Sequence, residues 1–322
     1  MGFRKENLPP RPRIIFLGTP EFAVPSLKAL VESGHNVRAV VTQPDRPRGR
    51  GRKLAPSPVK RFAMERGLEV LQPEKAREEG FCTLVREGSP DLLVVVAFGQ
   101  ILKKSLLDTP GWGALNIHAS LLPKYRGAAP IQWAILNNET RTGLTAMHMD
   151  EGMDTGPILF QEEIPIGPED TFGMLQERLG RFSGEFLLRV LKDLSEGRLR
   201  EIPQDHAKAS YAPKIDRGMA MVKWDKSAEE VSGLIRALDP WPGAFTTYKD
   251  KQIKLFLSRV IRENRCDLIP GRIKDFSGGS LRVETGEGLV EIKELQAPGK
   301  KRLKAVDFSR GFSLETGSIL GR

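Results

Sequence analysis

Cysteine is nearly missing from this sequence: its 322 residues contain two, Cys82 and Cys266. Two distant thiols form neither a disulfide framework nor a metal-ligand spacing, which fits a reducing cytoplasm and excludes the stapled secreted classes. No apolar run approaches the ~20 residues that a membrane span requires. The opening M-G-F-R-K-E-N-L-P-P-R-P-R lacks the apolar segment of a signal peptide. Gly2 is no better a lipid anchor, because Glu6 stands where a myristoylation site needs Ser or Thr. A protein that stays in the cytoplasm, off the membrane, is therefore expected. The first turn, G-T-P-E-F-A from Gly18 to Ala23, lacks the G-x-G-x-x-G fingerprint, so no nicotinamide dinucleotide is expected. Internal repeats and low-complexity tracts are absent as well, and no metal site is expected.

What is present is a globular composition with an excess of positive charge. Lys and Arg number 50 against 41 Asp and Glu, a formal +9, which suits a polyanionic partner such as RNA. Hydrophobic residues at 39% supply cores for two domains of ordinary size. Apolar and β-branched runs predict strands over 13–17, 37–42, 68–71, 92–99, 115–118, 142–148 and 158–164, alternating with helices over 58–66, 73–86, 101–107, 130–136 and 172–194. Thr19 is expected to cap a helix after the first strand, its start delayed by Pro25, and Asp170 to cap the long one. The continuous run Leu92–Gly99 reads as a parallel strand buried on both faces. After a polar stretch, Ser227 and Glu230 predict a capping box. Short strands over 244–248, 252–260, 271–276, 280–284 and 288–295 then suggest a small barrel, and Ala305–Phe312 a final helix.

Chemistry concentrates between Gly113 and Gly156. Asn116 and His118 are two apart on a predicted strand, so their side chains leave one face, and Pro123 and Gly127 end the regular structure just beyond. Both residues fall at a strand's carboxyl end, where open α/β sheets bind ligands. Asp154 follows on a loop bounded by Gly152 and Gly156; alone it would read as a turn residue. His148 reads as a satisfied sheet histidine, and Asp150 is open between a supporting acid and a turn former. A second concentration is cationic. Gln43–Pro58 carries Arg46, Arg48, Arg50, Arg52 and Lys53 against one acid, Asp45, and its prolines and glycines predict an irregular loop. A further basic cluster, Lys300, Lys301, Arg302 and Lys304, precedes the last helix.

The run N-I-H-A-S-L-L-P-K-Y-R-G with the downstream D-x-G-x-D-T-G resembles the folate-dependent formyltransferases. With Q-P-D-R-P-R-G-R-G (Gln43–Gly51) and Y-A-P-K-I (Tyr211–Ile215), the resemblance is to the branch whose acceptor is a charged tRNA, over nearly the whole chain. It implies an α/β fold with a Rossmann-like, mostly parallel sheet, followed by a smaller OB-like β-barrel. The implied domains are a catalytic one over 1–207, a linker over 208–213 and a tRNA-holding one over 214–322. The implied activity moves a formyl group from 10-formyltetrahydrofolate to the α-amino group of the initiator methionyl-tRNA. Asn116, His118 and Asp154 would be catalytic, Asn116 donating to the developing oxyanion and the His118–Asp154 pair carrying the proton. Ser120, Leu121, Leu122 and Pro123 would touch the folate, with Phe98–Leu102 as a wall of its pocket. Arg46, Arg48, Arg50, Arg52 and Lys53 would meet the tRNA, Arg50 foremost, and the protein would be a monomer. Two other functions explain less. A formyltransferase acting on a small amine would leave the arginine loop and the second domain idle, and a non-catalytic RNA-binding protein would have no use for the three polar residues.

Overall fold

The computed structural model describes residues 8–48, 53–262 and 267–321; Arg50, Arg52 and Cys266 lie outside them. The chain forms two compact units. One comprises Met1–Pro130, Gly143–Ile164 and Gln176–Pro213, the other Ile131–Thr142, Pro165–Leu175 and Lys214–Arg322.

The first unit opens with β1 (Arg13–Gly18), α1 (Val24–Glu32) and β2 (Asn36–Val41), a right-sized βαβ crossover. Then come β3 (Arg46–Arg48), β4 (Lys53–Ala55), α2 (Pro58–Glu65), β5 (Val70–Leu71) and α3 (Glu79–Glu87). β6 (Leu92–Val96), α4 (Lys104–Leu107), β7 (Ala114–His118), α5 (Pro130–Leu136), β8 (Arg141–His148), β9 (Ile158–Pro165) and the long α6 (Phe172–Ser195) follow along the chain, Ile131–Leu136 of α5 and Phe172–Leu175 of α6 belonging to the second unit. Seven strands share one sheet in the order β5-β2-β1-β6-β7-β8-β9. β5 through β7 are parallel, and β8 reverses against β7. All five residues of β6 are buried, as a central parallel strand requires; each such Val or Leu side chain removed from water contributes about 1.5–3 kcal/mol. Leu17, Val41, Val95 and Phe98 pack with Phe81 and Leu106 into one core cluster. α1 and α6 lie close enough for Ser26 and Ser183 to share a 2.8 Å hydrogen bond. Gly184 permits this, since a Cβ there would sit 2.8 Å from the Pro25 carbonyl oxygen.

The strand order reverses between β1 and β6, the position where such sheets open a crevice. The Thr19 hydroxyl, expected as a helix cap, instead donates to the Phe98 carbonyl at 2.9 Å. The Gln43 amide donates to Phe98 and Gly99 at 3.0 and 3.1 Å. Segments leaving β1, β2 and β6 are thereby tied at the carboxyl edge. Helix boundaries also differ from expectation: where a helix over 73–86 is expected, the helix runs over Glu79–Glu87. Thr171 accepts from the Met174 N–H at the start of α6, while Asp170 closes the preceding turn on Gly167 N. A capping hydroxyl one residue later serves the same orphan N–H group. Ahead of β1, Leu8 is buried.

In the second unit, α7 (Ala228–Ala237) starts with the full Ser227–Glu230 capping box. The Ser227 backbone N–H, then its hydroxyl, hold the Glu230 carboxyl below its ordinary pKa. β10 (Ala244–Tyr248), β11 (Lys251–Ile261), β12 (Ile273–Ser277), β13 (Ser280–Glu284) and β14 (Leu289–Gln296) run antiparallel in the order β10-β11-β14-β13-β12. A short β15 (Leu303–Lys304) adds to β14, and α8 (Ala305–Phe312) follows. Among the described residues this path of pairing does not close on itself. Within the basic cluster, Arg302 forks onto Asp239 at 2.9 and 3.0 Å and lies 4.0 Å over the Phe256 ring. Arg302 is therefore structural, and Lys300, Lys301 and Lys304 carry the cluster's exposed charge.

Candidate active site

Alternation along β7 places Asn116 and His118 on one face, with Leu115 and Ile117 on the other, and all five residues are buried. Antiparallel β8 sets Thr145 opposite His118. Asp154 arrives from the loop after β8 with φ of 54°, a left-handed conformation that Asp tolerates better than most residues. Its Oδ1 lies 3.4 Å from Asn116 Nδ2. Its Oδ2 accepts from the Gly127 N–H at 2.8 Å and stands 3.6 Å from His118 Nδ1. That last separation is long for a hydrogen bond and short for an ion pair. His118 Nε2 meets the Tyr125 carbonyl at 3.0 Å; a carbonyl only accepts, so Nε2 carries the hydrogen. Nδ1 is left facing Asp154, and one Asn116 N–H remains for another acceptor.

The Asp154 loop is built for close approach. Asp150 accepts from Gly152 N at 3.1 Å and the Thr155 hydroxyl at 2.6 Å, so it forms the turn. A Cβ at Gly156 would sit 1.8 Å from the His148 carbonyl oxygen. Gly156→Ala is therefore expected to cost about 1–3 kcal/mol by overpacking, read as a lower thermal-unfolding midpoint; an unchanged midpoint would show that the loop yields freely. His148 Nδ1 pairs with Glu201 at 3.0 Å, outside this group. A cavity of about 690 Å³ at the amino end of β7, lined by Trp112, His148, Asp150 and Glu201, includes none of the three convergent residues.

Ser120 to Pro123 follows β7 directly. The Thr145 hydroxyl donates to the Ser120 carbonyl at 2.6 Å and accepts from Leu122 N and Gln161 Nε2 at 3.1 and 2.9 Å. Ser120 and Leu122 are buried, Leu122 against Met147 and Ile158, and Leu121 and Pro123 are half-buried. Phe98 and Leu102 likewise point into the core, whereas Ile101 is 79% exposed.

The cationic stretch departs from the expected irregular loop: Arg46–Arg48 and Lys53–Ala55 pair as an antiparallel ribbon. Prolines are tolerated there because both strands are edges. Arg46 is exposed. Asp45 is held by Lys60 at 2.8 Å and Gln72 at 2.9 Å; these two hydrogen bonds, Lys60 first, keep its carboxyl below the usual range.

Sequence reasoning missed Arg126 and Gln204. Arg126 is 2% exposed, and its guanidinium donates through Nε and Nη2 to Gln204 Oε1 at 3.1 and 2.6 Å. Arg126 stands inside the quoted motif, but nothing local marks Gln204, 78 residues away. Among the described residues no helix is long and apolar enough to cross a membrane, and no group of three His, Cys, Asp or Glu could hold a metal ion.

Residues 12–191 match the formyl transferase model, and 214–313 match the formyl transferase C-terminal domain. A methionyl-tRNA formyltransferase of Acetivibrio thermocellus is 46% identical over 310 residues, 96% of this chain and 100% of the relative. One of Geobacter metallireducens is 48% identical over 308 residues, 96% of this chain and 98% of the relative. Among solved structures, a sugar 3N-formyl transferase, WlaRD, superposes with a TM-score of 0.65 at 20% identity, over 90% of this chain and 98% of that one. HypX from Aquifex aeolicus, in complex with tetrahydrofolic acid, gives 0.61 at 18% identity, over 97% of this chain and 51% of that one. These two share the fold. With both domain models matched in order and relatives of this identity spanning 96% of its length, the chain belongs to the formyl transferase family, among the methionyl-tRNA formyltransferases.

Proposed function

We propose that this chain transfers the formyl group of 10-formyltetrahydrofolate to the α-amino group of the initiator methionyl-tRNA, giving N-formylmethionyl-tRNA. The observation that carries the reading is the meeting of Asn116, His118 and Asp154 at the carboxyl end of β7 in a chain of this family. An uncharged amine attacks a formyl carbon unaided, so no covalent intermediate with the protein is needed. As the new C–N bond forms, the carbonyl electron pair moves onto oxygen, and the free Asn116 N–H stabilises that oxyanion. The attacking nitrogen must lose a proton, and His118 Nδ1 takes it. Asp154 steadies the resulting imidazolium. The same proton passes to the folate nitrogen as its bond to the formyl carbon breaks and the carbonyl re-forms. Ser120–Pro123 would border the folate, through Leu121, Pro123 and the main chain.

The remaining assignments belong to the same reading. Residues 1–207 form the catalytic domain, 208–213 the linker and 214–322 an OB-like domain that holds tRNA, in a monomeric cytoplasmic enzyme. The protein's excess charge and the cationic stretch of sequence that carries Arg46, Arg48, Arg50, Arg52 and Lys53 support RNA as the partner. If the ribbon lies on tRNA phosphates, each neutralised contact is expected to remove about 0.7–0.9 from the slope of log affinity against log salt. Arg50→Ala and a variant with all five neutralised are expected to raise the KM for methionyl-tRNA and leave folate binding unchanged. Parent-like kinetics for both variants at two salt concentrations would remove the ribbon from the interface and leave Lys300, Lys301 and Lys304. The function itself is tested by incubating the protein with 10-formyltetrahydrofolate and either methionyl-tRNA or small amines. Formyl-methionyl-tRNA is the expected product; transfer to small amines alone, or no turnover, would refute it.

A further inference from the structure

We infer that Gln204 is a positioning residue that aims Asp154 at His118, locked in its own orientation by the buried Arg126. This rests on the proposed roles of Asp154 and His118 as proton carriers. Gln204 is 6% exposed, and its Nε2 donates to two carbonyls of the Asp154 loop, Asp154 at 2.9 Å and Gly156 at 2.7 Å. Its Oε1 accepts both Arg126 Nε and Nη2. Both ends of the amide are thus in use, and only one orientation satisfies them. Flipped, the NH2 group would face guanidinium donors and the oxygen two carbonyls, every contact repulsive. His206 Nδ1 lies 3.3 Å from Nη1 and Nη2 of Arg126, completing the guanidinium's surroundings.

The stretch containing Gln204 is also stitched to the residues that hold His118. Ser210 Oγ accepts from Tyr125 N at 2.9 Å, the Ser210 carbonyl accepts from Arg126 N at 2.8 Å, and Ala212 N donates back to the Arg126 carbonyl at 2.7 Å. Three consecutive residues therefore serve both partners of the proton pair. Tyr125 gives its carbonyl to His118, Gly127 gives its N–H to Asp154, and Arg126 fixes the amide that clamps the Asp154 main chain. Asp154, at φ of 54°, needs such external hydrogen bonds to stay in a sparsely populated conformation. Without the clamp, its carboxylate would lose register with His118 while the ligand-facing side chains remained.

Gln204→Glu separates aim from packing. The side chain keeps its shape and gains an ion pair with Arg126, but its second oxygen cannot donate to the Asp154 and Gly156 carbonyls. The expected result is a kcat lowered by about 10²-fold, the scale of an ångström-sized misplacement. KM for 10-formyltetrahydrofolate and for methionyl-tRNA should stay within about twofold, the sign of a loss confined to the transition state. In an Asp154→Asn background the same change should cost less than about twofold more, because residues acting through one another are non-additive. Parent-like kcat for Gln204→Glu would overturn the inference while leaving the proton relay intact. An undiminished loss in the Asp154→Asn background would also overturn it, since general loosening does not act through Asp154. Parent-like turnover of Asp154→Asn alone would refute the relay itself, and the positioning role with it.

Discussion

His118→Ala is expected to lower the turnover number by about 10²–10⁴-fold, the usual contribution of a positioned general acid–base. The imidazole is held through Nε2 by the Tyr125 carbonyl at 3.0 Å, and its Nδ1 faces Asp154 at 3.6 Å. In the proposed mechanism its loss removes both the acceptor for the amine proton and the donor to the departing folate nitrogen. Folate affinity should change little, because the ring lies within a hydrogen-bonded group and is only 6% exposed. The measurement is the single-turnover rate with folate and methionyl-tRNA both saturating, with and without added imidazole. Partial recovery with imidazole is the expected signature; a parent-like rate would mean that water carries the proton unaided.

Asn116→Ala is expected to reduce turnover by about 10²–10³-fold, or 2.7–4 kcal/mol, the scale for one lost oxyanion donor. One Asn116 N–H points to Asp154 at 3.4 Å, a long contact whose loss costs little stability, and the other is free for the oxyanion. The ground-state carbonyl needs that donor less, so folate binding should be nearly unchanged. Asn116→Asp should fare no better, since it sets a carboxylate beside Asp154 where negative charge must develop. The check is kcat against folate Kd for both variants. Weakened folate binding with spared turnover would make Asn116 a binding residue instead.

Much of the architecture was legible because it is written in short-range patterns. The five-residue apolar run of β6 and the alternation along β7 follow from strand geometry over neighbouring positions. The Ser227–Glu230 capping box follows from a spacing of three. That Asn116 and His118 share a face is likewise local, a matter of two residues on a strand. Contacts between distant positions leave no such periodic trace. Asp154 lies 38 residues beyond Asn116, and its place beside His118 depends on a left-handed backbone and a glycine that admits the His148 carbonyl. The Arg126–Gln204 pair spans 78 positions, and Thr19 to Phe98 spans 79. Likewise, Arg302 reads as one cation of a basic cluster until the fold sets Asp239 beneath it. The sequence by itself determined most of the strands and helices, though not the ribbon of Arg46–Arg48 with Lys53–Ala55, and which residue types could do acyl transfer. Which hydrogen-bonding group each polar side chain meets was decided by tertiary structure alone, because a buried donor or acceptor takes whichever partner the packing of distant segments delivers to it.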